Sequence, residues 1–150
     1  MTAASPNTAP DAYEAFSDAW AQAWCRALNE SPAYRSAAAQ WEGSVGLVMT
    51  GATGSEGRAV FLDLWHGECR GARAVEAAEL AAATYVMEAS EPVWRELLAV
   101  RTSPLMLLMT GKLRLTRGNL GALLPYAGAA KELVDTVTLV RTYFPGDPGA

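Results

Sequence analysis

His66 is the only histidine in the chain, so any serine–histidine or cysteine–histidine mechanism must run through it. It stands in Trp65-His66-Gly67, where a strand-like run ends on a glycine, and reads as an exposed hairpin-tip residue. Asp63 and Glu68 lie near it in sequence, but a turn need not place them in one cleft with it. Cys25 and Cys69 show neither CxxC spacing nor a Cys/His cluster, so they read as two free thiols in a reducing cytoplasm, with a disulfide or metal use as the alternative. No HExxH, GxSxG, GxGxxG or P-loop pattern occurs. Residues 51–57, GATGSEG, look superficially like a phosphate cradle. No Lys-Ser/Thr pair or helix start follows them, and a flexible hairpin loop is the reading. Lys112, Arg114 and Arg117 remain. They suit a carboxylate or phosphate headgroup if they border a cavity mouth, and otherwise form the solvated face of a strand. The expectation is a protein that is not an enzyme, with no cofactor and no metal.

Burial of apolar matter is the chemistry these residue types do suggest, and residues 90–144 concentrate it. Ser90 caps a helix with Glu91 and Pro92 in its first turn, where an acidic side chain and a missing N–H are both acceptable. Its stripe is Trp94, Leu97 and Leu98. Ser103-Pro104 starts a short helix bearing Leu105, Met106, Leu108 and Met109, which Gly111 ends. Residues 112–116 alternate strictly, with Leu113 and Leu115 on one face and the cations on the other. If those leucines face inward, Tyr85 and Met87 of the preceding strand and Leu62 and Leu64 of the hairpin face the same space. A last helix, with Ala130, Leu133, Val137, Val140 and Phe144 at spacings of 3 and 4, completes the enclosure before Pro145 and Gly146 stop it. Three of the five methionines (Met87, Met106, Met109) fall in this set, and the thioether adapts to guests of varying shape.

The rest of the chain must position these faces. Tyr13, Phe16, Trp20, Trp24 and Leu28 predict one amphipathic helix over residues 11–29. Ser31-Pro32 predicts a second, running toward Gln40. Residues 44–50 and 58–65 and the segment ECRGAR predict a three-stranded antiparallel meander. Residues 74–82 favour about two turns of helix, and residues 84–89 another strand. On the 58–65 strand, Phe61 and Trp65 point away from Leu62 and Leu64, so the N-terminal helices or a second subunit are expected to cover them. With 12 basic and 16 acidic residues the formal charge is −4, which gives no bulk attraction to nucleic acid or an anionic membrane. The longest uncharged run is far short of the ~20 apolar residues of a membrane span. The first residues lack the basic start and apolar core of a secretory signal, so the expected location is cytoplasmic, with no stable membrane insertion.

One family resembles this pattern. Trp94 in the helix after TYVMEA, then Gly111-Lys112-Leu113-Arg114-Leu115, then Gly118-Asn119-Leu120, are similar to the sterol carrier protein type 2 (sterol-transfer) family, in which such a strand runs through a Gly-Asn/Asp turn into a closing helix. The hairpin with Asp63 and Gly67 and the order of the remaining elements also fit, over residues 41–144. The resemblance implies an α+β fold, with a five-stranded sheet, helices packed on one face and an apolar tunnel between them, to which this chain adds its N-terminal helices. It implies non-enzymatic binding or transfer of a lipid of the sterol, fatty acid or fatty acyl-CoA class. The candidate lining is Leu62, Leu64, Tyr85, Met87, Trp94, Leu97, Leu98, Leu105, Met106, Met109, Leu113, Leu115, Leu133, Val137 and Val140. The expected organisation is a disordered lead over residues 1–10, one domain over 11–144 and a tail over 145–150. The alternatives are an interaction module with a filled core that dimerises through Phe61 and Trp65, and an enzyme acting on an apolar substrate.

Overall fold

Tyr13–Glu14 form a short strand, β1, where the apolar spacing predicts the first turn of a helix. Phe16 has φ 65°, outside the helical region, and the Ser17 hydroxyl accepts a hydrogen bond from the Trp20 N–H at 3.2 Å. That N-cap starts helix α1 at Asp18 and carries it to Asn29. The computed structural model describes residues 12–50, 58–99 and 103–144. The expected lead (1–10), tail (145–150) and 51–57 loop lie outside the described residues. Helix α2 (Pro32–Ala37) has Ser31 as its N-cap and proline in its first turn, and it stops short of Gln40.

Strands β2 (Glu42–Thr50), β3 (Arg58–Trp65) and β4 (Glu68–Val75) form the expected antiparallel meander. Residues 77–82, which favour helix by composition, form a 3-10 turn (Ala77–Ala82) that carries the chain to β5 (Tyr85–Ser90). Strand β5 runs parallel to β2, so the sheet order is β4-β3-β2-β5-β6 once β6 (Arg114–Arg117) joins antiparallel to β5. Val86 pairs with Arg117 and Met87 with Leu115, which makes Thr116 the extra residue of a bulge. Helices α3 (Glu91–Leu98) and α4 (Pro104–Met109) precede β6, and α5 (Leu120–Leu123), a 3-10 turn (Leu124–Tyr126) and α6 (Ala127–Val137) follow it. The fold is therefore α+β, a five-stranded sheet with helices packed on one face.

The last helix does not reach Phe144. It ends at Val137, and Thr142–Tyr143 form β7, parallel to β1. Two backbone bonds, Tyr13 N–H to Arg141 O (2.8 Å) and Ala15 N–H to Tyr143 O (2.7 Å), tie these two distant segments together, and Trp20 Nε1 donates to Thr142 Oγ1 (2.9 Å). These long-range bonds outweigh the helical spacing, in a stretch whose Thr, Val and Tyr residues also suit a strand.

One face of the sheet buries Val45, Leu47, Met49, Val60, Leu62 and Leu64 against the helices, and Trp20, Trp24 and Leu28 of α1 belong to that same core. The N-terminal helices thus do not cover the Phe61 side. A smaller cluster of Ala59, Leu80, Ala83 and Val86 sits there, with Phe61 packed against it. Gly46 makes this possible: a Cβ on it would lie 2.6 Å from Leu80 Cδ2, so the missing side chain is the seat for Leu80. Trp65 stays 41% exposed, with the Arg70 guanidinium 5.0 Å from its ring centre.

Cys25 and Cys69 are not free thiols. They form a disulfide between α1 and β4 with Cα atoms 5.4 Å apart, an ordinary span for such a bridge. The Asn29 side chain adds two bonds to the same strand, Nδ2 donating to Cys69 O (2.9 Å) and Oδ1 accepting from Cys69 N–H (2.8 Å). Both fasten α1 to an edge strand that would otherwise present unpaired backbone. At the β3–β4 turn, His66 (φ 51°) and Gly67 (φ 83°) take the two left-handed positions of a tight hairpin. A Cβ on Gly67 would lie 2.6 Å from the Arg35 carbonyl oxygen of α2. Gly67→Ala is expected to lose about 1–3 kcal/mol from backbone strain, with displacement of α2 besides. Denaturant midpoints measure this, and an unchanged midpoint would mean that α2 moves freely.

Candidate functional site

Trp24 of α1, Tyr34 of α2 and the sheet residues Val45, Leu47, Leu64 and Met87 wall one side of a cavity beneath the helices. Trp94 and Leu97 of α3, Leu105 and Leu108 of α4, Leu123 of α5, and Ala129, Ala130, Leu133 and Val134 of α6 close the other, and Leu113 enters from the turn before β6. None of the lining residues carries a charge. The three tryptophans also hide their only polar atoms. Nε1 of Trp24 donates to Leu133 O (3.1 Å), that of Trp41 to Gly43 O (2.8 Å) and that of Trp94 to Val48 O (3.0 Å). With those N–H groups satisfied by backbone, the rings offer the cavity only hydrocarbon.

Room comes from small side chains. Ala127, Ala129 and Ala130 face the space where bulkier residues would fill it. The volume is about 80 Å³. A dry cavity that accepts benzene measures about 150 Å³, and pockets for drug-sized ligands start near 300 Å³. A hydrocarbon chain therefore enters only if a wall yields. The α5 helix and the 3-10 turn after it have no buried residue, which makes them the least anchored part of the enclosure. Tyr126 holds that segment down: its ring meets Trp41 edge-on at 5.0 Å, and its hydroxyl donates to Gln40 O (3.1 Å).

Tyr34 differs from the other aromatic residues. Its side chain is 2% exposed, and among the described residues its hydroxyl has no hydrogen-bond partner. Burial pushes its phenol up from 10.0 to about 12, so it stays neutral at any physiological pH. Below pH 10 the unionised phenol costs folding nothing, and this stability is lost as the pH rises through 12, because the unfolded chain ionises first.

Of the residues picked out from sequence, Leu64, Met87, Trp94, Leu97, Leu105, Leu113 and Leu133 line the cavity. Leu62 is fully buried in the core beside it, and the Tyr85 ring packs tilted against Trp41, 5.1 Å between centres. Leu115 pairs with Met87 on the edge strand without reaching the cavity. Leu98, Val137 and Val140 border a separate hollow with Arg95 and Arg141. Met106 and Met109 turn outward. The Ser103-Pro104 start located α4 correctly, yet its inner face is Pro104, Leu105, Leu107 and Leu108. Trp24, Tyr34, Trp41, Val45 and Leu47 were missed, although the run Ala127-Gly128-Ala129-Ala130 in the sequence is a signal for space. His66 lies off the cavity on its exposed turn, its Nε2 2.6 Å from Glu42 Oε2. Asp63 instead pairs with Arg70 (3.0 Å). Arg114 pairs with Glu88, and Arg117 Nε donates to Ala83 O (2.9 Å). Neither borders the cavity. Among the described residues no helix is long and apolar enough to cross a membrane.

Among curated proteins, none matches the chain. A crystal structure of sterol carrier protein 2 is 51% identical, covering 85% of this chain and 99% of its own, with a TM-score of 0.79. The solution structure of a conserved hypothetical protein from Thermus thermophilus, described as possibly sterol carrier protein, is 47% identical over 91% of this chain and 97% of its own, also at 0.79. The apo form of Sterol Carrier Protein 2 from Yarrowia lipolytica, at 16% identity, 77% and 86% coverage and a TM-score of 0.54, shares the fold. Residues 22–131 match the SCP-2 sterol transfer family, from the second half of α1 to the first half of α6, and so take in a part of every wall of the cavity. The chain belongs to the SCP-2 sterol transfer family.

Proposed function

We propose that the protein binds an apolar lipid in this cavity and carries it without chemical change. The observation that supports this most is the combination of an uncharged wall with tryptophan N–H groups already bonded to backbone. Apart from the Tyr34 hydroxyl, such a wall offers a guest no polar group to act on a bond. Binding follows apolar burial at about 25 cal/mol per Å². Sterols, fatty acids and fatty acyl-CoA are the candidate classes, and Tyr34 ranks them. Its neutral hydroxyl suits an alcohol, ester or ketone oxygen, whereas a buried carboxylate would find no cation on the wall. A neutral lipid with one oxygen function fits best. Phe61 is already packed under Leu80, which leaves little for a dimer of filled cores to bury.

Ala130→Phe tests the reading, since it puts a ring into the cavity from α6. It is expected to abolish uptake of a fluorescent sterol or fatty acid analogue while changing stability by less than about 3 kcal/mol. Native mass spectrometry of the purified wild-type chain, with lipid extraction, identifies what it carries. Unchanged analogue binding by a folded Ala130→Phe variant would sink the proposal.

A further inference from the structure

Helix α1 is held from both sides. Toward the cavity, Trp24 Nε1 bonds to Leu133 O of α6, and Trp20 Nε1 bonds to Thr142 of β7. The rings of Trp24, Trp20, Phe16 and Trp94 follow one another, 5.2, 5.1 and 5.3 Å between centres, so an aromatic chain leads from α1 to α3. The two ends of that chain, Trp24 and Trp94, both line the cavity. Toward the sheet edge, the Cys25–Cys69 bridge, the Asn29 side chain and Asp18 Oδ1, which accepts from Ala74 N–H at 3.1 Å, hold α1 on β4. Cys25 directly follows Trp24, so the covalent tie sits next to a wall residue. Both states of the bridge suit the fold. Cys25 Sγ lies 3.4 Å from Cys69 O and Cys69 Sγ 3.5 Å from Gly71 O, so each S–H formed by reduction has a carbonyl to donate to. Cys25 is half-buried whereas Cys69 is 3% exposed, so an attacking thiolate meets the bridge at Cys25.

We propose that the Cys25–Cys69 bridge is a redox switch on guest exchange: oxidised, it clamps the α1 wall, and reduced, it lets that wall yield. The reductant is a dithiol. Its first thiolate attacks Cys25 Sγ and the Cys69 thiolate leaves, then its second thiolate displaces Cys25 from the mixed disulfide. Two electrons pass from the dithiol to the bridge, and the two protons the dithiol gives up end on the two cysteine sulfurs. The Asn29 and Asp18 bonds still join α1 to β4 afterwards, so reduction loosens the wall without dismantling it. At about 80 Å³ the cavity admits a hydrocarbon chain only when a wall moves. The α5 wall is free to move in either state, and reduction adds α1. The inference rests on the lipid cavity proposed above and supplies a control for it.

Stopped-flow release of a fluorescent sterol or fatty acid analogue tests it on the full chain, oxidised and after treatment with dithiothreitol. The reduced chain is expected to release the analogue about tenfold faster, the effect of about 1.4 kcal/mol off the cost of opening, and reoxidation should restore the slow rate. A Cys25→Ser/Cys69→Ser double variant should release at the fast rate with or without the dithiol. Asn29→Ala, with its bridge intact, should keep the slow rate until it is reduced. Hydrogen exchange of the guest-free chain reads the wall itself: on reduction the amides of α1 should speed up more than those of β2. Equal release rates in the two states, an equal rise in exchange of α1 and β2, or a reduced chain that unfolds without denaturant each overturns the switch and leaves the carrier reading standing. Absence of uptake in both states removes the carrier reading and the switch with it.

Discussion

Cys25→Ser or Cys69→Ser is expected to lower folding stability by about 4 kcal/mol, the loop-closure value for a bridge of this span. The bridge joins residues 44 apart in sequence, so breaking it returns much conformational freedom to the unfolded chain. The enclosed segment includes α2, β2 and β3, and hence Tyr34, Trp41, Val45, Leu47 and Leu64 of the cavity wall. Equilibrium unfolding with and without a thiol reductant measures the effect. The double serine variant should match the reduced wild type, and either should leave the two Asn29 bonds to Cys69 in place. A reductant-insensitive midpoint would show that the two sulfurs are not joined in solution, and would leave the Asn29 bonds as the tie between α1 and the sheet edge.

Trp94→Ala is expected to cost about 3–5 kcal/mol, the range for deleting a large buried aromatic side chain. The ring is 2% exposed, meets Phe16 edge-on at 5.3 Å and takes its N–H bond to the Val48 carbonyl with it when removed. The vacated volume opens into the cavity. The variant should therefore gain from an apolar guest, and an analogue at about 100 times its dissociation constant should restore about 2.7 kcal/mol. Thermal melts with and without the analogue read both halves. Destabilisation without rescue would mean that the space collapses, as it does when helices settle inward, and would count against a ligand-holding cavity. Trp94→Phe, which keeps the ring contact and loses the N–H, should fall between.

The meander, the strand at 85–90 and the short helices after Ser90 and Ser103 were legible because local rules are enough for them. Alternation marks a strand and a serine before proline marks a helix start, with no need of distant partners. The family resemblance was legible for the same reason, since its motif is a contiguous strand, turn and helix. The pairing of β1 with β7 was not. Tyr13 and Thr142 each read as part of a helix until they meet, and their pairing spans nearly the whole sequence. The disulfide failed in the same way: no spacing rule links Cys25 to Cys69, and only the packing of α1 along β4 brings them together. Half of α4 was misassigned because a six-residue helix of Leu and Met has no polar face to say which side turns inward.

By itself, then, the sequence determined which segments are apolar, the class of fold and the absence of any familiar catalytic pattern, all of which follow from residue types read over short windows. Tertiary structure decided the rest: which leucines see the cavity, that three tryptophans of its wall spend their ring N–H groups on backbone while the Tyr34 hydroxyl has no partner among the described residues, and that α4 turns Met106 and Met109 outward. The reason is physical. An empty volume is a property of surfaces that meet from opposite sides, and no single stretch of chain contains it.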